Sequence, residues 1–306
     1  MRVICMLLVG CGPGSVNLDA ETGEDSGQVD DTQAGDDTSG VDDTGPGAVE
    51  RMLTVSNHHS CLLDETGEVT CWGWEEYGIL EAPPGPFRVI DAGDAHTCGV
   101  KLDGEIECWG LNNHGQIDEP EGPWSDVVGG YMYTCGVRPS GEVECWGDNT
   151  WGQLDGIPAS PLSAVDCDQR TCVAWREGAG WVFWGNNEDH QQDAPDEPWA
   201  TIRMGSLHGC GLAEGGRIAC WGDNGHGQIE APAGIWSALD VGAFGACAQD
   251  SSGVLTCWGR DSFQDFDNLP QGPVGAYTLG NSHGCGFIAD DVVCWGLNTE
   301  GQADPP

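Results

Sequence analysis

The pair Trp-Gly recurs at Trp72, Trp109, Trp146, Trp184, Trp221, Trp258 and Trp295, at intervals of 37, 37, 38, 37, 37 and 37 residues. A period of that length marks one supersecondary unit repeated and stacked, which leaves arrays, solenoids and circular folds. The second unit, FRVIDAGDAHTCGVKLDGEIECWGLNNHGQI at residues 87–117, is representative. Its segments are short, carry Val and Ile, and are punctuated by Gly and Asn, the pattern of strands and turns. No long run spaces apolar residues by 3.6, so helical solenoids are disfavoured. Four short strands per unit and seven units describe an all-β, seven-bladed β-propeller over residues 51–306.

A second series, Cys61, Cys98, Cys135, Cys172, Cys210, Cys247 and Cys285, follows the same beat. In TCGVKLDGEIEC, pairing Cys98 with Cys108 sets Val100 against Ile106. Leu102-Asp103-Gly104 is left as a three-residue hairpin loop, whose last position favours the left-handed region and hence Gly. Gly67, Gly141, Gly216 and Gly253 hold the same place. Cys285 and Cys294 are nine apart, which shortens the loop to Ala289-Asp290 and keeps the cysteines opposed. Opposed Cβ atoms approach the separation a disulfide requires. The expected bridges are therefore Cys61–Cys71, Cys98–Cys108, Cys135–Cys145, Cys210–Cys220, Cys247–Cys257 and Cys285–Cys294. In the fourth unit Phe183 stands before Trp184 where a Cys is expected. Cys167 falls where other units have Gly93, Gly130, Gly205 and Gly242, and a Cys167–Cys172 bridge balances the count. No CxxC occurs, so zinc is not expected and the metal complement is none.

With these motifs in place, the chain resembles the regulator of chromosome condensation repeat family. The resemblance is carried by His96-Thr97-Cys98, Gly104, Trp109-Gly110, Asn112 and Gly115-Gln116, by Tyr133 to Gln153 and by His208 to Gln228. It covers residues 51–306 and implies the seven-bladed propeller. The founding member's nuclear exchange and chromatin roles do not carry over to an acidic, Cys-rich chain.

Composition sets the compartment. Sixteen cysteines indicate an oxidising one. The chain has 50 Asp and Glu against 10 Lys and Arg, a net charge of −40, which argues against nucleic acid as partner. No stretch of about 20 apolar residues is present to span a bilayer. Residues 1–11, MRVICMLLVGC, read as an export signal. Leu8-Val9-Gly10-Cys11 resembles the lipobox of bacterial lipoproteins, which implies lipidation of Cys11. Gly12, in place of an Asp that favours retention, implies the outer membrane or cell surface. Residues 12–50 are an acidic tether too polar to fold, spanning roughly 35 Å as a coil. Asp30-Asp31-Thr32, Asp36-Asp37-Thr38 and Asp42-Asp43-Thr44 repeat within it without the ligand density of a calcium loop.

Two sets of residues are candidates for function. His59, His96, His208 and His283 stand two before the first Cys of their units, while Tyr133, Arg170 and Gly245 interrupt the series. Packing rather than metal binding is expected of them. Five residues beyond each Trp stand Tyr77, His114, Trp151, Asp189, His226, Phe263 and Glu300. Such loops of a propeller share a face, so the aromatic members form the expected binding surface. Trp74 and Phe266 lie outside the motif and are expected to be exposed there. Gly280-Asn281-Ser282-His283-Gly284 fits GxSxG, but an all-β repeat lacks the strand–Ser–helix elbow that motif needs.

The expected function is therefore non-catalytic binding of a protein or glycan ligand through one loop face, by a monomer without cofactors, touching membrane only through its lipid. The alternatives are a lyase or hydrolase working at the central channel, and a structural envelope protein. Ring closure through one blade shared by both chain ends is also expected.

Overall fold

The computed structural model describes residues 49–260, 266 and 268–306. The segment expected to be an export signal, Cys11, and the expected tether as far as residue 48 lie outside these. The described residues form seven three-stranded antiparallel sheets and no helix. Each sheet has an inner, a middle and an outer strand, consecutive in the chain. In blade 2 these are Phe87–Ala92, His96–Lys101 and Ile106–Gly110. In blade 4 they are Ser163–Cys167, Thr171–Arg176 and Gly180–Gly185. Inner strands adjoin in order all the way round, with the first against the last, so the seven sheets close into a propeller.

Three strands form per blade rather than four. Beyond the outer strand the chain enters the Trp-Gly loop and then a Pro-bearing segment, such as Pro83, Pro84 and Pro86. Proline offers no NH to a ladder. That segment instead delivers the first residue of the next blade to the hairpin Gly of the preceding one. Phe87 NH donates to the Gly67 carbonyl at 2.8 Å, and Trp124 NH to that of Gly104 at 2.8 Å. Gly67 has φ +86, and a Cβ there would lie 2.7 Å from the Pro86 Cβ. Both conformation and space therefore demand Gly at this hairpin.

The core lies between sheets. One apolar cluster runs from Met52 and Leu63 through Phe87 and Trp109 to Trp124 and Trp146, across three blades. The Trp of each Trp-Gly pair is buried, and several donate Nε1–H to a carbonyl of the preceding blade: Trp109 to Ile79 at 3.1 Å, Trp146 to Gln116 at 3.0 Å, Trp221 to Gln191 at 2.8 Å and Trp258 to Gln228 at 3.0 Å. The Gln side chain closes its own loop, as where Gln116 Oε1 accepts from His114 NH at 2.9 Å. Trp-Gly and Gly-Gln are thus two halves of one joint between neighbouring blades.

Seven disulfides join the expected pairs, one per blade, with Cα separations of 4.0–4.1 Å. Cys98 lies opposite Cys108 and Val100 opposite Ile106. Two features of blade 4 differ from the expected alignment. Val173 faces Phe183 on the rung that Cys98 and Cys108 hold in blade 2. Cys172 faces Trp184, the place of Thr97, and Thr171 rather than Arg170 takes the place of His96. Asp168, not Cys167, matches Gly93: Asp168 NH donates to the Thr171 carbonyl as Gly93 NH does to that of His96. The blade 4 bridge therefore ties the inner strand to the middle one, where the other six tie middle to outer.

Among the described residues no sheet joins strands from both chain ends, contrary to the shared-blade expectation: each sheet is built of three strands consecutive in the chain. The first inner strand, Met52–Val55, pairs with the middle strand of its own blade, His59–Leu63. Blades 7 and 1 meet through side chains. Ser60 Oγ lies 2.7 Å from His283 Nε2 and donates to the Gln302 carbonyl at 3.0 Å.

Candidate functional site

In a three-stranded meander, alternate connections lie at opposite ends. The inner-to-middle turns and the Trp-Gly loops therefore share one face, and the middle-to-outer hairpins occupy the other. Backbone bonds confirm the first grouping: Trp74 NH donates to the His58 carbonyl at 2.9 Å, and Leu111 NH to that of Ala95 at 2.8 Å.

Beneath the Trp-Gly face runs a buried belt. His59 Nε2 lies 2.6 Å from Thr97 Oγ1, His96 Nε2 lies 2.9 Å from Thr134 Oγ1, and His283 reaches Ser60. The imidazole of one blade thus meets the hydroxyl beside the Cys of the next. Burial holds all of these rings neutral, lowering His59 and His283 to about 3 and His96 and His208 to about 4. His59, His96 and His283 couple neighbouring blades through these contacts, whereas neither ring nitrogen of His208 has a partner among the described residues.

The exceptions are compensated. Tyr133 spans the blade 3–4 seam, its hydroxyl donating to the Asp168 carbonyl at 2.7 Å. A Cβ on Gly245 would lie 2.7 Å from Phe266 Cζ, so the Phe266 ring fills the space of the missing imidazole. Phe266 is half-buried against the blade 6–7 core rather than exposed on the face, because that cavity would otherwise be empty.

Along the axis the inner strands carry a second belt. Asp91 Oδ2 accepts Gly129 NH at 2.9 Å, Asp166 Oδ2 accepts Met204 NH at 2.8 Å, and Asp240 Oδ2 accepts Leu279 NH at 2.8 Å. Arg203 lies between Asp166 at 3.5 Å and Asp240 at 3.7 Å. Burial pushes Asp240 up to about 6, against the pull of Arg203. Asp168 is pushed up to about 8 by burial, with Asp166, Asp94 and Asp240 adding repulsion, so its carboxyl is largely protonated at neutral pH. Three sulfurs, of Cys135, Cys167 and Cys172, lie within 4.8 Å of one another. All belong to disulfides and offer no thiolate to a metal.

On the surface, Tyr77, His114, Trp151 and His226 stand at loop tips of the Trp-Gly face, with Tyr77 58% and Trp151 42% exposed. Phe263 lies outside the described residues. Trp74 is half-buried, 4.8 Å from the His58 ring and 5.4 Å from that of Tyr77. These side chains do not make a continuous ring: Trp151, His226 and Glu300 each meet a turn residue of the next blade. The Arg170 guanidinium lies 3.9 Å from the Trp151 ring centre. His226 packs on Phe244 at 6.1 Å, and Phe244 carries Arg260 at 4.0 Å. Glu300 Oε2 is 3.1 Å from His58 Nδ1.

Sequence reasoning passed over these turn residues, together with Asp94 and Tyr131, the latter 41% exposed. Their signal was positional: each stands one or two residues before the buried belt position. The hairpin face exposes aliphatic side chains instead, among them Leu102, Ile235 and Val254.

The comparisons agree with this geometry. Residues 53–79, 87–116 and 199–228 match the regulator of chromosome condensation (RCC1) repeat, so the chain carries repeats of that kind. No curated protein matches. Among solved structures, the chain is similar to the ectodomain from the Physcomitrella patens receptor kinase CR4, with 25% identity, TM-score 0.69, and coverage of 80% of this chain and 73% of that one. It is also similar to the CRINKLY WD40 ectodomain from the Arabidopsis thaliana receptor kinase ACR4, with 24% identity, TM-score 0.67, and coverage of 80% and 96%. Prp20p from Saccharomyces cerevisiae, whose binding to Gsp1p and histones has been described, shares the fold at 15% identity and TM-score 0.63, with coverage of 82% and 83%.

Proposed function

We propose that this chain is a non-catalytic, extracytoplasmic binding protein that holds a protein ligand on its Trp-Gly face, tethered to the outer membrane or cell surface through a lipid on Cys11 and the acidic segment 12–50. The observation that carries the reading is the grouping on that face of exposed Tyr77, Tyr131 and Trp151, the residue types that dominate binding energy at protein interfaces. Seven disulfides and the likeness to two receptor ectodomains support an exported chain. The axial carboxylates are what a channel enzyme would use. Those of Asp91, Asp166 and Asp240 already accept backbone NH groups from the next blade, which suits a structural role.

The test is capture from native envelope with the full chain immobilised. The triple variant Tyr77→Ala, Tyr131→Ala, Trp151→Ala is expected to lose its captured protein. The hairpin-face triple Leu102→Ala, Ile235→Ala, Val254→Ala is expected to retain it. The reverse pattern would move the site to the hairpin face and overturn the reading.

A further inference from the structure

At three blade seams of the Trp-Gly face the side chain five beyond Trp-Gly's Trp meets the turn residue of the next blade: Trp151 with Arg170, His226 with Phe244 and Glu300 with His58. At the seam between blades 3 and 4 the pair is Trp151 and Arg170, an aromatic ring covered by a cation at 3.9 Å. The seam between blades 1 and 2 is built on the same positions with Tyr77 and Ala95. Ala95 carries only a methyl group, and Tyr77 remains 58% exposed.

The residue before Ala95 is Asp94. Its Oδ1 is enclosed and has no hydrogen-bond partner among the described residues. Burial raises its pKa, opposed by the His58 imidazole and by a side-chain hydrogen bond between the carboxyl and Asn57. Aromatic groups flank it on both sides. Tyr131 is its neighbour in the blade 3 turn, where Asp94 NH donates to the Tyr131 carbonyl at 3.3 Å. On the blade 1 side, His58, Trp74 and Tyr77 follow one another at 4.8 and 5.4 Å. Residues 52–87 contain no Lys or Arg, and Glu75 and Glu76 lie exposed in the loop that carries Tyr77. A buried carboxylate oxygen without a hydrogen bond among the described residues, beside the exposed Tyr77 and Tyr131 and a stretch with no Lys or Arg, is complementary to a positive group.

From this we propose that the seam between blades 1 and 2 is a pocket for a cationic side chain, Lys or Arg, of the protein partner. Asp94 takes the charge, and Tyr77, Trp74 and Tyr131 take the aliphatic stem and the cation's π contact. The external side chain occupies the place that Arg170 fills from within at blades 3 and 4. The inference rests on the reading that this face binds protein, and names the chemistry of its partner.

The probe is Nα-acetyl-L-lysine N-methylamide, titrated into the full chain and followed by amide and indole NMR shifts. Saturable shifts centred on Trp74, Tyr77 and Asp94 are expected. Asp94→Asn should weaken binding at least tenfold, and Glu188→Gln, an exposed acid on the same face, less than twofold. Ala95→Arg should abolish binding by supplying the cation internally, with the dispersion of the remaining spectrum showing that the fold persists. Equal losses for Asp94→Asn and Glu188→Gln would mean only a diffuse acidic field and would overturn the pocket, as would unsaturable shifts. Binding of tetramethylammonium without binding of the lysine probe would also overturn it. Should the pocket fail while face variants still abolish capture, the general reading survives. Should the probe bind while capture follows the hairpin face, the pocket survives and the general reading falls.

Discussion

Blades 2 and 4 solve the same packing problem with different chemistry. In blade 2 the buried belt position is His96, the matching turn position is Gly93, and sulfur joins middle to outer strand. The two choices are linked, because a Cβ on Gly93 would run into the His96 ring. In blade 4 the belt residue is the smaller Thr171, and the turn position accommodates Asp168. Sulfur has moved one rung along and one strand inward, while Val173 and Phe183 fill the vacated rung. A repeat fold therefore tolerates exchange of linked sets of residues: Thr171 Oγ1 donates to the Asn186 carbonyl of its own blade at 2.8 Å, where His96 reaches Thr134 of the next.

The largest expected effect tests the Trp joint. Trp146→Ala removes a buried indole and its bond to the Gln116 carbonyl, and should cost about 3–5 kcal/mol. Trp184 in blade 4 is also buried, but its Nε1 has no partner among the described residues. Trp184→Ala should cost less by about 1 kcal/mol, read from denaturant midpoints at constant m. Equal costs would remove the joint's hydrogen bond from the account.

A smaller effect tests the exchange itself. Thr171→His alone forces an imidazole against Asp168 and should destabilise by about 1–3 kcal/mol. Combined with Asp168→Gly, which recreates the blade 2 pair, most of that loss should return. Strict additivity of the two changes would show that the sets are independent.

The smallest effect is a difference in pH dependence. His96 titrates at about 4 when folded, below its ordinary 6.5, so its contribution is full above pH 6.5 and is lost as pH falls toward 4. Asp168 is raised from 3.8 to about 8, so its contribution is full below pH 4 and is lost as pH rises toward 8. Thermal melts across this range should show His96→Gln gaining on the parent toward acid and Asp168→Asn gaining toward alkali. Slopes of the same sign would break the contrast.

Much of this was legible before the structure. Cys98 and Cys108 fixed hairpin register because a ten-residue spacing with Gly104 permits one loop class. Blade 4 was misread by one residue because Cys172 imitated the series while standing in the threonine's place. Trp-Gly was the truer ruler: His59, His96, Tyr133 and His208 all stand 13 residues before their Trp, and so does Thr171, not Arg170. The face was only half visible. Loop residues such as Tyr77 and Trp151 announce themselves by repeat position, but Asp94, Tyr131 and Arg170 depend on the alternation of turns in a meander, which places them beside those loops. That Phe266 turns inward could be inferred only from the void at Gly245, a three-dimensional fact.

None of the seven sulfur bridges crosses from one wedge to the next, and the clasp between Ser60, His283 and Gln302 is wholly noncovalent. Oxidation therefore hardens each segment of the bracelet without locking the bracelet shut. Moving the chain's start to a different seam, by circular permutation, should preserve the same torus.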